Sequence, residues 1–307
     1  MGLIQKIKNL MKYNWGQLKE NIYYLMEVDL RTQVPDLIYQ IKDETIEECV
    51  LEFDEYKKTM KQLQVLDAEQ TIHLLMNYPK SFSRYGDGEI HIMQGKDQAF
   101  QKYDPELARK MREILRTRRD DVYVGLNHAY WESPNNYAER NRKFYRVRGT
   151  GYRRFFTEHC DPDGLYLDAA CFGAYYRFDD SYDYEGHYSR IKALFAGKKI
   201  AIVAGEGVFE KLQYNVFEEA AAQMIVHGPR IHAFSEYDAL IEKIKNAVPK
   251  DYLICAILGQ TATVLVADLT DLGYMAWDVG HVAKDYDAYK NQTEKNQKNM
   301  DAFWAPD

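Results

Sequence analysis

Two hydrophobic rhythms divide this chain. Through residues 1–66 apolar positions recur every three or four residues: Leu3, Ile7, Leu10 and Met11, then Leu18, Ile22 and Leu25. Beyond a break at Pro35 the rhythm resumes with Ile46, Val50, Phe53 and Met60. That spacing predicts two or three amphipathic helices. From about residue 67 short apolar runs alternate with helical stretches, the pattern of an α/β layered domain.

Asp67 is placed to cap a helix running to Tyr78, and Ser81–Tyr85 reads as a strand. Asp104-Pro105 opens a helix that turns Leu107, Met111, Ile114 and Leu115 inward. Val122, Val124 and Leu126 alternate as a strand, and residues 135–160 read as one or two basic, aromatic-rich helices. Lys199–Ala204 and Leu253–Leu258 are nearly continuous apolar runs, as in parallel strands covered on both faces. Between them a helix is expected near 208–222, a strand near 224–227 and a helix near 236–247. A last strand, Tyr274–Trp277, precedes Asp278-Val279-Gly280-His281. The fold class is therefore α/β, with a mostly parallel sheet and helices on both faces. A helical segment (1–66) precedes the main domain (67–290), and a polar tail (291–307) is expected to be loosely held.

Charge narrows the partners. The net charge of −7 leaves no basic field for general nucleic-acid binding. Lys6, Lys8, Lys12 and Lys19, with Tyr13 and Trp15 between them, make the first helix suited to an anionic membrane surface. The same helix also suits docking on its own domain or on a sister subunit, which is consistent with a homo-oligomer. Cys49, Cys160, Cys171 and Cys255 are widely spaced, as reduced thiols of a cytosolic protein rather than a zinc site or a disulfide framework. No apolar run approaches a membrane span, and the N-terminus has no signal-like apolar core. The expected compartment is the cytoplasm, at the inner face of the membrane if the first helix docks there. The 25 tyrosines suit interfaces and sugar or base pockets.

In open α/β sheets ligands bind beyond the carboxyl ends of the strands. Four expected strand ends carry unusual residues: Gly86-Asp87-Gly88-Glu89, Gly205-Glu206-Gly207, Gly259-Gln260-Thr261-Ala262-Thr263 and Asp278-Val279-Gly280-His281. Asp87 and Glu89 present hard oxygen donors for one Mg²⁺ or Mn²⁺ held against a phosphate. The competing reading makes them acids that cap the following helix. Arg84 suits a phosphate or a structural ion pair. Thr261 and Thr263 at a helix start suit phosphate or ribose contact, or simple capping. The Gly205 turn lacks the full dinucleotide fingerprint, and no P-loop or nucleophile elbow is present. His281, beside Asp278 and Asp285, suits metal, diphosphate or acid–base work, or a structural role.

Taken together, the blocks S-R-Y-G-D-G-E-I (83–90), F-Q-K-Y-D-P-E-L-A (100–108), G-K-K-I-A-I-V-A-G-E-G (197–207), H-G-P-R-I-H-A-F (227–234), L-G-Q-T-A-T-V-L-V-A-D-L (258–269) and D-V-G-H-V (278–282) resemble, in order, GT-D-type bacterial glycosyltransferases with a D-x-E motif. The resemblance covers about residues 67–290. It implies a Rossmann-like hexosyltransferase that uses a nucleotide sugar, usually a UDP-hexose, and a divalent metal at Asp87 and Glu89. The Gly205–Gly207 turn and the Gly259–Thr263 helix start would frame the nucleotide. The acceptor would be a glycan, lipid-linked or glycoprotein hydroxyl in surface glycan or adhesin assembly. Two departures stand out: Gln260 replaces a proline of the family pattern, and Leu167–Arg177 lacks an expected Thr-Arg-Pro. His227 and His232 fall in a family-like block and read as structural. A metal-dependent phosphohydrolase and a non-catalytic partner subunit that keeps the fold are the alternative functions.

Overall fold

The computed structural model describes residues 63–132 and 136–305; the helices expected over 1–62 lie outside the described residues. The first strand, β1 (Gln64–Val65), is followed by α1 (Ala68–Asn77), β2 (Ser81–Tyr85), α2 (Asp87–Met93), α3 (Pro105–Arg116), β3 (Val122–Leu126), α4 (Glu139–His159), β4 (Leu165–Asp168) and α5 (Tyr184–Phe195). The second half runs β5 (Lys199–Gly205), β6 (Ala222–Gly228), α6 (Tyr237–Ala247), β7 (Leu253–Ile257), α7 (Thr261–Asp271), β8 (Met275–Asp278), α8 (Val282–Lys290) and α9 (Gln297–Trp304). The strands form one eight-stranded sheet in the order β1-β4-β3-β2-β8-β7-β5-β6, with every pairing parallel.

Alternation along the central strands builds two cores. Ile200, Ile202, Leu253 and Cys255 point to one face, with Phe82, Trp277, Ile191 and Phe195. Ala201, Val203, Ile254 and Ala256 point to the other, with Tyr85, Met111, Val264 and Leu265. Burial on both faces explains why these strands read as unbroken apolar runs. Helix starts follow their caps. Asp67 and Gln70 form a reciprocal capping box on α1, and the Asp104 carboxylate accepts from the amides of Glu106 and Leu107.

The chain leaves β2 toward β3 and β4 on one side, then returns through β7 and β8 on the other. β2 and β8 therefore meet at the point where strand order reverses, joined through the register pair Phe82–Trp277. This topological switch is where an open α/β sheet leaves a crevice at its carboxyl edge.

Three expectations change. No helix forms over 208–222: the chain runs through turns and bends to 221, and Ala222 already opens β6. Its backbone donors are split between isolated turns, as from Leu212 to the Phe209 carbonyl, and side chains. The amides of Gln213 and Tyr214 both bond the Asp287 carboxylate at 2.8 Å, and Asn215 caps Phe217. The polar tail is not loose: Asn296 caps α9, and Phe303 is buried against Tyr176. The sheet begins at β1, inside the segment read as helical. β4 and α5 carried no sequence expectation.

Candidate active site

The carboxyl edge of the sheet opens into a cleft of about 510 Å³ centred on the β2–β8 seam. Arg84 to Glu89 form its floor from β2, and Asp278 to His281 contribute from β8. Gly259 and Gln260 follow β7, Gly205 ends β5, and Asn127 and Ala169 follow β3 and β4. Four of the glycine-bearing strand ends expected from sequence thus converge.

Gly86 is the N-cap of α2, so Asp87 and Glu89 occupy its first turn. The Glu89 carboxylate folds back and accepts the Gly86 amide at 2.7 Å, so this acid does cap its helix. Its second oxygen and the exposed Asp87 carboxylate remain beside the cleft. Burial, reinforced by the carboxylates of Asp278 and Asp87, pushes Glu89 up to about 7. A cation beside these acids would relieve that crowding. Among the described residues no group of three or more His, Cys, Asp or Glu side chains could enclose a metal. Asp87 and Glu89 could offer two hard carboxylate donors to a divalent cation whose other positions are filled by ligand oxygens and water.

Arg84 commits its two terminal nitrogens to the protein, while its buried Nε has no hydrogen-bond partner. Its guanidinium donates to Asp278 at 2.8 Å and to the Ala169 carbonyl at 2.6 Å. Asp278 is buried and also accepts the Gly280 amide at 3.0 Å; burial raises its pKa against the pull of Arg84. Gly280 sits at φ +51°, and a Cβ there would fall on the Arg84 guanidinium. A glycine is therefore required on two grounds.

The other expected site residues divide. Gln260 lines the cleft, its amide packs where a Cβ on Gly88 would project, and its Oε1 has no hydrogen-bond partner. Thr261 and Thr263 are buried, outside the cleft lining: Thr261 donates to Gln101 at 2.9 Å, and Thr263 to the Arg84 carbonyl at 3.0 Å. They stitch α7 to β2 and to the loop after α2. Gly205 lines the cleft, whereas Glu206 and Gly207 do not. His281 sits on the wall with its ring against Phe100, Phe303 and Trp304, at centroid distances of 5.6, 5.3 and 5.4 Å. His232 takes the role read for it: its Nδ1 accepts the Lys102 amide and its own amide donates to the Phe100 carbonyl, fixing the Phe100 wall. His227 lies 3.3 Å from Glu210 at the surface.

Sequence reading missed one side of the cleft. Arg177 lines it and donates to the Ala170 carbonyl at 2.9 Å. Burial alone would lower its pKa, but Tyr145, Tyr137, Asp168 and Asp285 carry it above its ordinary value, so it stays cationic. Tyr130 and Tyr145 stand beside it, the latter hydrogen-bonded to Asn127 at 3.1 Å. A signal was present: Arg177 is the only cation in the apolar stretch 165–178.

A family model described as glycosyltransferase GT-D fold matches residues 82–303. The chain belongs to this family. Among its relatives, glycosyltransferase GlyD of Streptococcus pneumoniae serotype 4 is 28% identical over 244 residues, covering 77% of this chain and 29% of the relative. Probable glycosyl transferase Gly of Streptococcus gordonii is 26% identical over 238 residues, covering 75% and 33%. This chain thus spans about a third of the length of the curated relatives it matches. A solved structure described as a new glycosyltransferase from Streptococcus sanguinis superposes with a TM-score of 0.69 at 26% identity, covering 75% of this chain and 86% of that one. A selenomethionine structure of domain of unknown function 1792 gives 0.71 at 29% identity, covering 78% and 86%. The GT-D match runs from β2 into α9, so it takes in the acid turn, the seam and Phe303.

Proposed function

We propose that this chain is a metal-dependent glycosyltransferase. It moves a hexose from a nucleotide sugar, a UDP-sugar by preference, to a hydroxyl of a surface glycan or glycoprotein acceptor. The observation that carries the reading is the Gly86–Glu89 turn. It puts two carboxylates at the carboxyl end of a central strand, on the reversal point of a GT-D sheet. The names of the relatives agree with it.

Asp87 and Glu89 would hold Mn²⁺ or Mg²⁺, which supplies charge neutralisation for the departing diphosphate. Asp87 faces the cleft, while Glu89 is oriented by the Gly86 amide. Arg177 brings a permanent cation to the same cleft and is assigned to the anionic end of the donor. Preformed charges of this kind act where negative charge grows in the transition state. His281 and the rings around it form the wall against which the sugar or its acceptor is oriented. Gly205 and Gly259 line the same cleft, at the strand ends assigned to the nucleotide.

The test is release of UDP from a panel of UDP-sugars with and without Mn²⁺. Metal-dependent release that falls at least a hundredfold in Asp87→Ala and in Glu89→Ala supports the reading. Unchanged release in both variants overturns the metal site. Nucleotide binding without any turnover would mark a partner subunit that keeps only the fold.

A further inference from the structure

Helix α4 carries seven arginine and lysine residues against two glutamates, in a chain whose net charge is −7. Glu139 is exposed at its first position, and the other solvent-facing positions among the described side chains are Arg140, Lys143, Phe144, Val147, Arg148, Gly151, Arg154 and Glu158. The spacing of three and four residues puts them in one stripe along 21 residues of helix. The opposite side is anchored in the core by Tyr152 and Phe156. Two apolar side chains stand in the stripe uncovered: Phe144 is 37% exposed and Val147 is 47% exposed.

Two cations of the stripe have acidic neighbours. Arg154 meets Glu158 at 3.1 Å and Arg140 meets Asp301 of α9 at 3.4 Å; all four side chains are exposed. Such pairs are screened and contribute little. Among the described residues neither Lys143 nor Arg148 has an acidic partner within ion-pair distance. Exposed aromatic and aliphatic groups interleaved with cations are the composition of helices that lie at an anionic lipid interface. A soluble acidic partner would use the cations but would not require Phe144 and Val147 to stay uncovered. One end of the stripe enters the cleft, since Arg140 and Phe144 also line it.

We infer that the exposed face of α4 docks on an anionic bilayer surface, with the cleft mouth at the lipid boundary. The contact is peripheral: no helix among the described residues is long and apolar enough to cross a membrane. The orientation would bring a membrane-held acceptor to the cleft without the chain leaving the surface. The docking face does not depend on which donor the cleft takes.

The experiment is flotation of the full chain with phosphatidylcholine vesicles, with and without one quarter phosphatidylglycerol, at 0.1 M salt. Binding to the anionic vesicles alone is expected. Lys143→Gln with Arg148→Gln should weaken it about 30-fold, from the usual contribution of each cation near such a surface. Neither residue lines the cleft, so circular dichroism and UDP-sugar binding should be unchanged. A nitrobenzoxadiazole probe on Val147→Cys, in a Cys49→Ser background, should shift to the blue on anionic vesicles. Flotation without that shift, and unaffected by the double variant, would assign the membrane contact to residues outside α4 and overturn the inference. Absence of flotation, or binding to poly-glutamate in place of vesicles, would overturn it equally.

Discussion

The Arg84 guanidinium crosses from β2 to β8 and meets the Asp278 carboxylate at 2.8 Å, with both side chains almost withdrawn from water. This pair ties the two halves of the sheet together at the mouth of the cleft, with Arg84 two residues beyond Phe82 and Asp278 one beyond Trp277, the register contact of the two strands. Removing one partner leaves the other charge buried, which is costlier than never having had the pair. Asp278→Ala should lose about 3 kcal/mol of stability in urea unfolding. The double variant Arg84→Met/Asp278→Ala should recover part of it. Equal losses in the single and double variants would contradict this account.

Gly280 supports the same pair from the other side. Gly280→Ala forces an L-residue into φ +51° and drives a methyl onto the Arg84 guanidinium. A cost of about 2 kcal/mol is expected from the backbone alone. Nucleotide binding by calorimetry should weaken as well, because the β2 and β8 ends shift together.

Glu89 predicts a pH signature. Its folded pKa, near 7, lies above the ordinary carboxyl value of 4.5. The folded state therefore keeps a proton that the unfolded chain gives up, and stability falls as pH rises from 4.5 through 7. Glu89→Gln keeps an oxygen for the Gly86 amide and carries no charge. It should melt higher than the parent at pH 8 and level with it at pH 4.5. Mn²⁺ should raise the melting temperature of the parent at pH 8 and leave the variant where it is.

His187 predicts the opposite slope. Its ring is buried with only Nδ1 engaged, 3.1 Å from the Tyr182 hydroxyl, and burial pushes it down to about 3. The unfolded chain takes up a proton near pH 6.5 while the folded one resists. Stability is thus full above 6.5 and drains as pH falls toward 3, by up to about 1.4 kcal/mol per pH unit. His187→Leu should flatten that limb of the unfolding profile between pH 4 and 6.

The tail helix should matter to the cleft. Phe303 is buried between Tyr176 and His281. Phe303→Ala should cost about 3 kcal/mol if α9 unfolds with the core. Trp304, 41% exposed on the cleft wall, is a different case. Trp304→Ala should leave stability within about 0.5 kcal/mol and weaken UDP-sugar binding. Loss of fold in the second variant would assign Trp304 to packing alone.

Much of the fold is legible in the chain because its signals are local. The runs at 199–204 and 253–258 are apolar because both faces of β5 and β7 are covered, and Asp67 and Asp104 announce the helices they cap. The segment 208–222 deceived because its amides are bound by Asp287, more than 70 residues away, and no local pattern records that. The tail deceived for a related reason: polar residues run unbroken from Asn291 to Asn299, into the start of α9, and its one buried ring depends on Tyr176 and His281. At the candidate site, the acid turn was visible as two glycines around two acids. The commitment of Thr261 and Thr263 to Gln101 and to the Arg84 carbonyl was not visible, since threonines at a helix start look alike whether they face a ligand or a neighbour. Arg177 was legible only in retrospect, as a lone charge among rings.

The β2–β8 seam also sets an order of events during synthesis. β2 emerges early, but the strand that flanks it on one side is the last strand of the sheet. Until Trp277 and Asp278 have been made, one edge of β2 stays open and Arg84 has no carboxylate to meet. A nascent chain therefore exposes an unpaired, apolar strand edge while everything from Gly86 to Tyr274 is made, an opening that chaperones or wrong partners can occupy. Contacts this distant in sequence also close slowly. The protein gains its cleft and covers this strand edge in the same late step.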